Sequence, residues 1–235
     1  MLNTPPSDEL DLERIEMYFN RPWLPNRKDV AILDIGCGYG TQLYALSKLG
    51  FSNLHGIEIA RELYEIAAER LGTLAHLERI DAFTYLGRHV DRFDLVILQD
   101  VLEHIPREKC PKLLELIKKS LKLGGVLTIR VPNMSSLLAS YSMYLDFSHV
   151  TGFTEYSLMQ LLDIAGFVNH KILHSTHQIR LKKDSLGSIL GGLGIRSFLR
   201  SWVNVCIHKV LYKLREQRPV PKTFDFNLEI YSKKG

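Results

Sequence analysis

Residues 30–40 read VAILDIGCGYG, and this stretch decides the fold of the chain. Its first six residues are mostly apolar and β-compatible, which predicts a strand buried on both faces. Asp34 closes that strand, and glycines follow at positions 36, 38 and 40. Glycines let the chain turn tightly and let a ligand approach bare backbone before a helix that begins near Thr41. The pattern predicts a nucleotide-like ligand.

Length and composition predict a single domain over residues 1–235. The chain has 235 residues, of which 46% are hydrophobic, enough to bury one full core. The three cysteines have no metal-ligand spacing and favour neither a disulfide framework nor a metal site, so we expect no metal and a reducing compartment. The first 13 residues are polar and acidic, and no uncharged run is long enough to span a membrane. We therefore expect a cytoplasmic protein, soluble or peripheral to a membrane.

Strand and helix patterns alternate through the middle of the chain, which is typical of βαβ units and a mostly parallel sheet. The patterns predict strands at 30–35, 53–58, 76–81, 94–99, 126–131, 168–175 and 224–231. They predict helices near 41–49, 60–71, 83–88, 109–122 and 154–165. Pro111 suits the first turn of the fourth helix, Gly124 and Gly125 its end, and Thr154 the N-cap of the fifth.

The remaining segments surround this core of residues 30–176. We predict an N-terminal leader over 1–29, a substrate lid over 134–152, a helical insertion over 177–222 and the last strand within 223–235. The lid is placed there because a loop that leaves the carboxyl end of a parallel strand stands where ligands bind in open α/β sheets.

The insertion carries most of the positive charge. Ten basic residues and two acidic ones lie between 180 and 222, so this segment is +8 while the whole chain is +4. Residues 197–214 alternate apolar and basic positions as an amphipathic helix does, with Cys206 and Val210 among the apolar positions and His208 among the polar ones. Such a helix over 196–214 could rest on an anionic membrane. We favour a helix packed on the sheet or against a second copy, and expect a monomer or a homodimer.

The glycine loop alone leaves the nucleotide open. An NAD-binding fingerprint requires GxGxxG and an acidic residue about 20 positions later. Here the third glycine comes one position early, although Glu58 stands 22 residues after Gly36 and suits ribose hydroxyls in either case.

Four stretches together resemble the class I S-adenosylmethionine-dependent methyltransferases: DIGCGYG at 34–40, GIEIA at 56–60, IDAF at 80–83 and FDLVILQDVLEHI at 93–105. The resemblance covers roughly residues 28–175. It implies an α/β, Rossmann-like doubly wound fold with a mostly parallel seven-stranded sheet, an antiparallel last strand and a helical insertion before that strand. It also implies S-adenosyl-L-methionine as cofactor and S-adenosyl-L-homocysteine as product.

The same resemblance implies a role for each matching residue. Asp34 would meet the amino group of the cofactor, Glu58 the ribose hydroxyls and Ile59 the adenine face. The other implied contacts are the methionine part for Gly36, Gly38 and Gly40, the adenine edge for Asp81 and Ala82, and the methyl-donor site for Gln99 and Asp100. Taken singly, Asp34 could only cap the loop, Asp81 could be a turn residue, and Glu58 a solvated strand end.

Two histidines are candidates for a catalytic base, because a hydroxyl acceptor must lose a proton and histidine titrates near neutral pH. His149 lies in the lid, within a stretch similar to the H…FT…AGF region of small-molecule and saccharide methyltransferases. It either reaches the site or anchors the lid through a backbone hydrogen bond. His104 follows the methyl-donor strand and is the second candidate, while Glu103 is expected to brace the turn.

Polar residues at the fifth strand's end and in the lid suit an acceptor rich in hydroxyls. These candidate acceptor contacts are Arg130, Asn133, Tyr141, Tyr144 and Asp146. The pattern looks like methyltransferases of polysaccharide biosynthesis and, more distantly, the ubiquinone O-methyltransferases. Residues 98–101 read LQDV in place of the NPPY or DPPY signature of enzymes that methylate amines in nucleic acids, so we expect no nucleic acid partner.

Three hypotheses follow for the function. The first is an S-adenosylmethionine-dependent O-methyltransferase that acts on a small polar or saccharide-type acceptor. The second is a catalytically silent relative that binds the cofactor and serves as an interaction or regulatory subunit. The third, an NAD-dependent oxidoreductase, fits the glycine spacing poorly.

Overall fold

The computed structural model describes residues 21–136, 138–173, 203, 206–210, 221–223 and 225–235. The strands are β1 Ile32–Ile35, β2 Leu54–Glu58, β3 His76–Arg79, β4 Phe93–Gln99, β5 Leu121–Pro132, β6 Phe167–Leu173 and β7 Asn227–Lys234. The α-helices are α1 Thr41–Lys48, α2 Arg61–Leu71, α3 Ala82–Leu86, α4 Cys110–Ser120, α5 Ala139–Tyr144 and α6 Glu155–Ile164. Two short 3₁₀ helices span Leu102–His104 and Arg107–Lys109.

The seven strands form one sheet in the order β3-β2-β1-β4-β5-β7-β6. β1 to β5 pair in parallel, and β7 is antiparallel to both β5 and β6. The strand order reverses between β1 and β4, and ligands bind outside the carboxyl ends of the strands at such a switch point. The Rossmann-like, mostly parallel fold with an antiparallel last strand is thus confirmed.

The helices cover both faces of the sheet, because successive side chains of a buried strand point to opposite faces. In β1, Leu33 and Ile35 join the cluster that includes Leu113 of α4 and Leu158 of α6. Ile32 joins the other cluster, which includes Leu43 of α1 and Leu71 of α2. The two cores make the sheet rigid and place the carboxyl ends of β1, β2 and β4 side by side.

The predicted boundary between the fourth helix and the fifth strand is wrong by several residues. Helix α4 has Pro111 in its first turn as predicted, but it ends at Ser120 and β5 begins at Leu121. Leu121 pairs with Phe93, and the register shifts before the regular pairing resumes at Val126. Gly124 and Gly125 therefore lie inside an irregular strand and do not end the helix.

The lid is not wholly irregular. The helix α5 lies within residues 134–152 and was not predicted from the sequence pattern. After the lid, Thr154 caps α6 as predicted, since its side chain accepts a hydrogen bond from the Ser157 N–H and the Ser157 hydroxyl bonds back to Thr154 N.

The structure describes only part of the N-terminal leader and only part of the basic insertion. Of the leader, Trp23 is buried and its Nε1–H donates to Glu229 Oε1 of β7 at 3.1 Å, while residues 1–20 lie outside the described residues. Most of the basic insertion also lies outside them, but residues 206–210 are helical. There His208 is fully buried and Val210 is 56% exposed, the reverse of the faces predicted from the sequence. The predicted apolar face is therefore wrong at these two positions.

Candidate functional site

The glycine loop follows β1 at the switch point of the sheet. The backbone N–H groups of Gly36 and Cys37 both donate to Ile57 O, at 2.9 and 3.0 Å, which ties the loop to β2. Asp34 lies near the end of β1 and is 1% exposed, so its side chain is enclosed by the protein. Burial also raises the pKa of the Cys37 thiol, which keeps this thiol protonated near neutral pH.

Two of the glycines serve different purposes. Gly40 has φ +72°, and a Cβ there would stand 2.6 Å from Leu71 Cδ1, so this position is needed for close packing of α1 on α2. Gly38 has φ +53°, and a Cβ there would meet no atom within 4 Å. The backbone at Gly38 therefore faces open space, as a loop that receives a ligand must.

Glu58 holds the loop open from the end of β2. Its Oε2 accepts a hydrogen bond from Gly38 N–H at 3.0 Å, and its Oε1 accepts one from Ala60 N–H at 2.8 Å. Next to it, Ile59 is 68% exposed although it is apolar. A buried acidic group beside an exposed aliphatic side chain suits a nucleoside, whose ribose is polar and whose base has an apolar face.

Asp81 lies between β3 and α3. Its Oδ1 accepts hydrogen bonds from Thr84 N–H at 3.0 Å and from the Thr84 hydroxyl at 3.2 Å, so it is the N-cap of α3. Ala82 is the first residue of that helix and is half-buried. The alternative predicted for Asp81 was a turn residue, whereas the structure makes it a helix N-cap, and capping occupies one carboxylate oxygen.

Gln99 and Asp100 end β4 beside the glycine loop. Gln99 is buried, and Asp100 takes φ +55°, a left-handed conformation that aspartate tolerates better than most residues. Both carboxylate oxygens of Asp100 pair with Arg130 of β5, with Nε at 3.0 Å from Oδ1. Arg130 thus neutralises Asp100 at this edge of the sheet.

The 3₁₀ helix after β4 contacts the returning lid. The carbonyl of Glu103 accepts hydrogen bonds from Val150 N–H at 2.9 Å and Thr151 N–H at 3.0 Å, so Glu103 braces this turn as predicted. Its side chain is 2% exposed, and burial raises the pKa of Glu103 to about 8. The nearby carboxylates of Asp100 and Asp146 act in the same direction.

The two candidate histidines meet in space. The rings of His104 and His149 lie edge to face with centroids 4.8 Å apart. His149 Nδ1 lies 3.1 Å from Ser142 O, which is the lid-anchoring bond that the sequence left as an alternative. His104 Nδ1 lies 3.0 Å from Ser148 Oγ, which donates to Asp146 Oδ1 at 2.6 Å. The hydrogen bonds that the hydroxyl and the backbone N–H of Ser148 donate to Asp146 lower the pKa of Asp146.

The other predicted acceptor contacts differ in placement. Tyr141 and Tyr144 are 61% and 84% exposed on the lid helix. Asn133 is fully buried, donates to Thr223 O and Asp225 O, and accepts from Ser135 N–H. All of its polar atoms are engaged, so Asn133 joins the lid to the start of β7 and does not face an acceptor.

The side chains of Glu103 and Ser148 were not predicted from the sequence to belong to the site. Glu103 was predicted only to brace a turn, and Ser148 carried no motif. The adjacent pair Glu103 and His104 directly after a donor strand was the signal that could have drawn attention to the first. Nothing local marks Ser148, because its role depends on a residue 44 positions away.

Comparison with known proteins decides the family. The family model described as "Methyltransferase domain" matches residues 12–172. The chain belongs to this family. A crystal structure of a SAM-dependent methyltransferase from Archaeoglobus fulgidus has the same fold, with TM-score 0.69, 22% identity and coverage of 97% of this chain and 95% of that one.

Two other proteins match the chain over only about half of their own length. Phosphoethanolamine N-methyltransferase 2 of Haemonchus contortus, solved with S-adenosyl-L-methionine, has TM-score 0.61 and 19% identity over 99% of this chain and 53% of that one. The ubiquinone biosynthesis O-methyltransferase of Paraburkholderia phymatum is 29% identical over 123 residues, 51% of this chain and 50% of the relative. The chain thus spans about half the length of this curated relative.

The residues of the methyltransferase fit the cofactor of its family, S-adenosyl-L-methionine, as predicted. The open backbone at Gly38, the acidic Glu58 and the exposed Ile59 lie together at the switch point. Family membership excludes the NAD-dependent oxidoreductase. Within the described part of the chain, no helix combines the length and apolar character needed to cross a membrane.

Proposed function

We propose that this methyltransferase transfers the methyl group of S-adenosyl-L-methionine to a hydroxyl oxygen of a small polar acceptor, of which a saccharide is the best candidate. The cofactor supplies an electrophilic methyl group on a sulfonium sulfur. In the transfer the sulfur–carbon bond breaks, an oxygen–carbon bond forms, and the hydroxyl proton is released. The chain must hold the acceptor in line and help this proton to leave.

One observation carries the proposal: the imidazoles of His104 and His149 stand edge to face beside the donor end of β4. Each has its Nδ1 engaged by the lid, so each can present Nε2 to an acceptor. An amine acceptor in its neutral form needs no such group to become nucleophilic, whereas a hydroxyl does. The similarity to ubiquinone O-methyltransferases supports the same choice.

The proposed cofactor contacts are those implied by the resemblance: Asp34, Gly36, Gly38, Gly40, Glu58, Ile59, Asp81, Ala82, Gln99 and Asp100. For the acceptor we retain Tyr141, Tyr144 and Asp146 of the lid. Arg130 acts through its pair with Asp100, and Asn133 is withdrawn for the reason given above.

The wider setting also remains part of the proposal. We place the protein in the cytoplasm, in polysaccharide biosynthesis, as a single domain that is a monomer or a homodimer. The alternative to a helix packed on the sheet or against a second copy is contact of residues 196–214 with an anionic membrane, which the positive charge of the 177–222 segment suits. Flotation with phosphatidylglycerol vesicles tests this contact, and a protein that stays at the bottom of the gradient with anionic and neutral vesicles alike excludes it.

The activity is tested in two stages. Calorimetry with S-adenosyl-L-homocysteine establishes cofactor binding, and a panel of sugars, nucleotide sugars, phenols and amines then identifies the acceptor by mass spectrometry. We expect methylated hydroxyl products and a fall in kcat of about 100-fold or more for His149→Ala. His170→Ala serves as control, because His170 bonds to Asp163 and Ser232 away from this site.

The panel also separates the enzyme from a silent relative. Heat with S-adenosyl-L-homocysteine but no product from any acceptor class would indicate the catalytically silent subunit. Methylation of amines alone would contradict the proposed hydroxyl acceptor.

A further inference from the structure

Three potential metal ligands converge at the carboxyl end of β4. Glu103, His104 and His149 each offer one ligand atom, and the three atoms lie within 4.8 Å of one another. Among the described residues no other group of three such side chains comes together. His149 is 45 positions from His104, so the sequence could not reveal the cluster, and its cysteine spacing predicted no metal.

The hydrogen bonds of the two histidines engage Nδ1 of each ring. His149 Nδ1 faces the carbonyl of Ser142, which can only accept, so Nδ1 carries the proton. His104 Nδ1 faces the Ser148 hydroxyl and carbonyl, and that hydroxyl already donates to Asp146. In both neutral imidazoles Nε2 is therefore left with the lone pair that a metal ion requires. Histidine ligands in metal sites are oriented by this kind of second bond.

Glu103 supplies an independent observation. Its side chain is 2% exposed, and its Oε2 has no hydrogen-bond partner in the described part of the chain. A carboxylate oxygen buried without a partner is costly unless a cation or a proton meets it. The rest of Glu103 is fixed, because its carbonyl holds the Val150 and Thr151 N–H groups.

We propose that Glu103, His104 and His149 form the binding site of one divalent metal ion. Two imidazoles and one carboxylate suit Zn²⁺, Mn²⁺, Fe²⁺ or Co²⁺ better than Ca²⁺ or Mg²⁺, which prefer oxygen ligands alone. Three protein ligands leave at least one coordination position open, as in catalytic metal sites. Neither Asp100, which pairs with Arg130, nor Asp146 Oδ1, which accepts from Ser148, is needed as a ligand.

The role that we assign to the open coordination position rests on the proposed function. A hydroxyl oxygen of the acceptor would occupy it, and a bound divalent cation lowers the pKa of a coordinated O–H by several units. With both Nε2 atoms on the metal, neither histidine would take the proton itself, and the coordinated hydroxyl would release its proton to solvent before the methyl group arrives. The site selects acceptors that present one hydroxyl, or two adjacent ones, to a cation.

Binding is tested on the full chain without any acceptor. The protein is treated with EDTA, dialysed, and titrated with CoCl₂ while its visible absorption is recorded, with ZnCl₂ competition followed by calorimetry. We expect one equivalent of metal and a d–d band that Zn²⁺ abolishes. In His149→Ala, His104→Ala and Glu103→Gln the affinity should fall at least about 10-fold, whereas His170→Ala should bind as the parent protein does.

Thermal unfolding of each variant shows whether it is folded, and Glu103→Gln preserves shape if an alanine variant is not. The metal site is overturned if no d–d band appears, or if the three ligand variants bind the metal as tightly as the parent protein does. Because this readout needs no methyl transfer, it stays separate from the proposed function. Undiminished O-methylation in EDTA would overturn the metal's role while leaving the hydroxyl acceptor intact, and absence of any O-methylated product would reject the acceptor alone.

Discussion

Gly38 is the residue at which the cofactor loop is most open. A methyl group there would meet no protein atom within 4 Å, and it would occupy the space through which a ligand reaches the backbone. Gly38→Ala should therefore weaken S-adenosyl-L-homocysteine binding by about 10-fold or more in calorimetry.

Gly124→Ala is the matched control for that substitution. Gly124 also has positive φ, +73°, and open space at its Cβ, but it lies in β5 at the other end of the sheet. Both variants should lose about 1 kcal/mol of stability from the left-handed backbone. Equal cofactor affinity in the two variants would show that the space over Gly38 is not part of the site.

The titration of His55 should make the free energy of unfolding depend on pH. Burial, helped by the positive charges of Arg92, His76 and His89, lowers the pKa of His55 to about 4. The unfolded chain takes up this proton near pH 6.5, so between pH 6.5 and 4 it binds more protons than the folded protein does. The free energy of unfolding should therefore fall as the pH is lowered through this window, by up to about 3 kcal/mol.

Urea unfolding at pH 7 and pH 5 measures this effect. His55→Gln should lose less stability between the two pH values than the parent protein, since glutamine does not titrate and still bonds to Asn53, the partner of His55 Nε2 at 2.9 Å. His76→Gln removes one of the smaller causes that lower the pKa of His55 and should keep most of the pH dependence, because burial is the largest cause. The same pH dependence in His55→Gln and the parent protein would contradict the assignment.

At the scale of elements, Asp81 caps a helix and is also proposed to contact the cofactor. The cap of α3 uses Oδ1 alone, so the other oxygen can accept a hydrogen bond from an adenine amine. In Asp81→Asn the amide oxygen must cap, and the amide NH₂, a donor, is left for the adenine. We expect stability to be unchanged, because asparagine caps as well as aspartate, and cofactor affinity to fall.

Asp81→Ala separates the two roles in the same assays. It should lose about 1 kcal/mol of stability together with cofactor affinity. If Asp81→Asn keeps full affinity in calorimetry, Asp81 is a cap only.

The elements themselves were largely predictable, for local reasons. β1 and β4 are short, mostly apolar runs followed by Gly36 and Asp100, and α6 has Thr154 at its N-cap. The errors arose where long-range contacts decide. Leu121 became a strand residue because it pairs with Phe93, and His208 is buried although the sequence pattern put it on a polar face.

The site residues also divide into those that the order of the strands places and those that long-range contacts bring together. Gly38, Glu58 and Asp81 follow consecutive strands of a parallel sheet, so their neighbourhood followed from the order of the strands alone. The contact of His104 with His149 depends on how the lid returns over Glu103, and the engagement of Asn133 depends on residues 90 positions away. No local pattern contains that information.

Across the whole molecule, Glu155 connects three distant parts of the chain. It is fully buried, its Oε2 accepts from the Ser135 hydroxyl at 2.8 Å, and its Oε1 accepts from Lys222 N–H at 2.6 Å. Glu155→Ala would leave the buried Ser135 hydroxyl and the part-buried Lys222 N–H without this acceptor, and a buried donor left unpaired costs roughly 1–3 kcal/mol. Its free energy of unfolding in urea should be lower by about 3 kcal/mol.

Glu155→Gln tests the cause, because its amide oxygen can accept from Lys222 N–H while its NH₂ donates to Ser135 Oγ. We expect this variant to retain most of the stability. Glu69→Ala, at an exposed position of α2, should change it by less than about 0.5 kcal/mol. A loss in Glu155→Gln as large as in Glu155→Ala would mean that the negative charge matters and not the hydrogen bonds.

The place of β7 in the sheet also has a consequence during synthesis. Of the seven strands it leaves the ribosome last, yet it lies between β5 and β6. Ninety-five positions separate Pro132 from Asn227, so at about 5–20 residues per second the edge of β5 waits roughly 5–20 s for its partner. During that interval a nascent chain exposes an unpaired strand that other chains can join. Slow translation of the 133–226 segment should therefore favour aggregation, and chaperones that cover strand edges should be most useful at that stage.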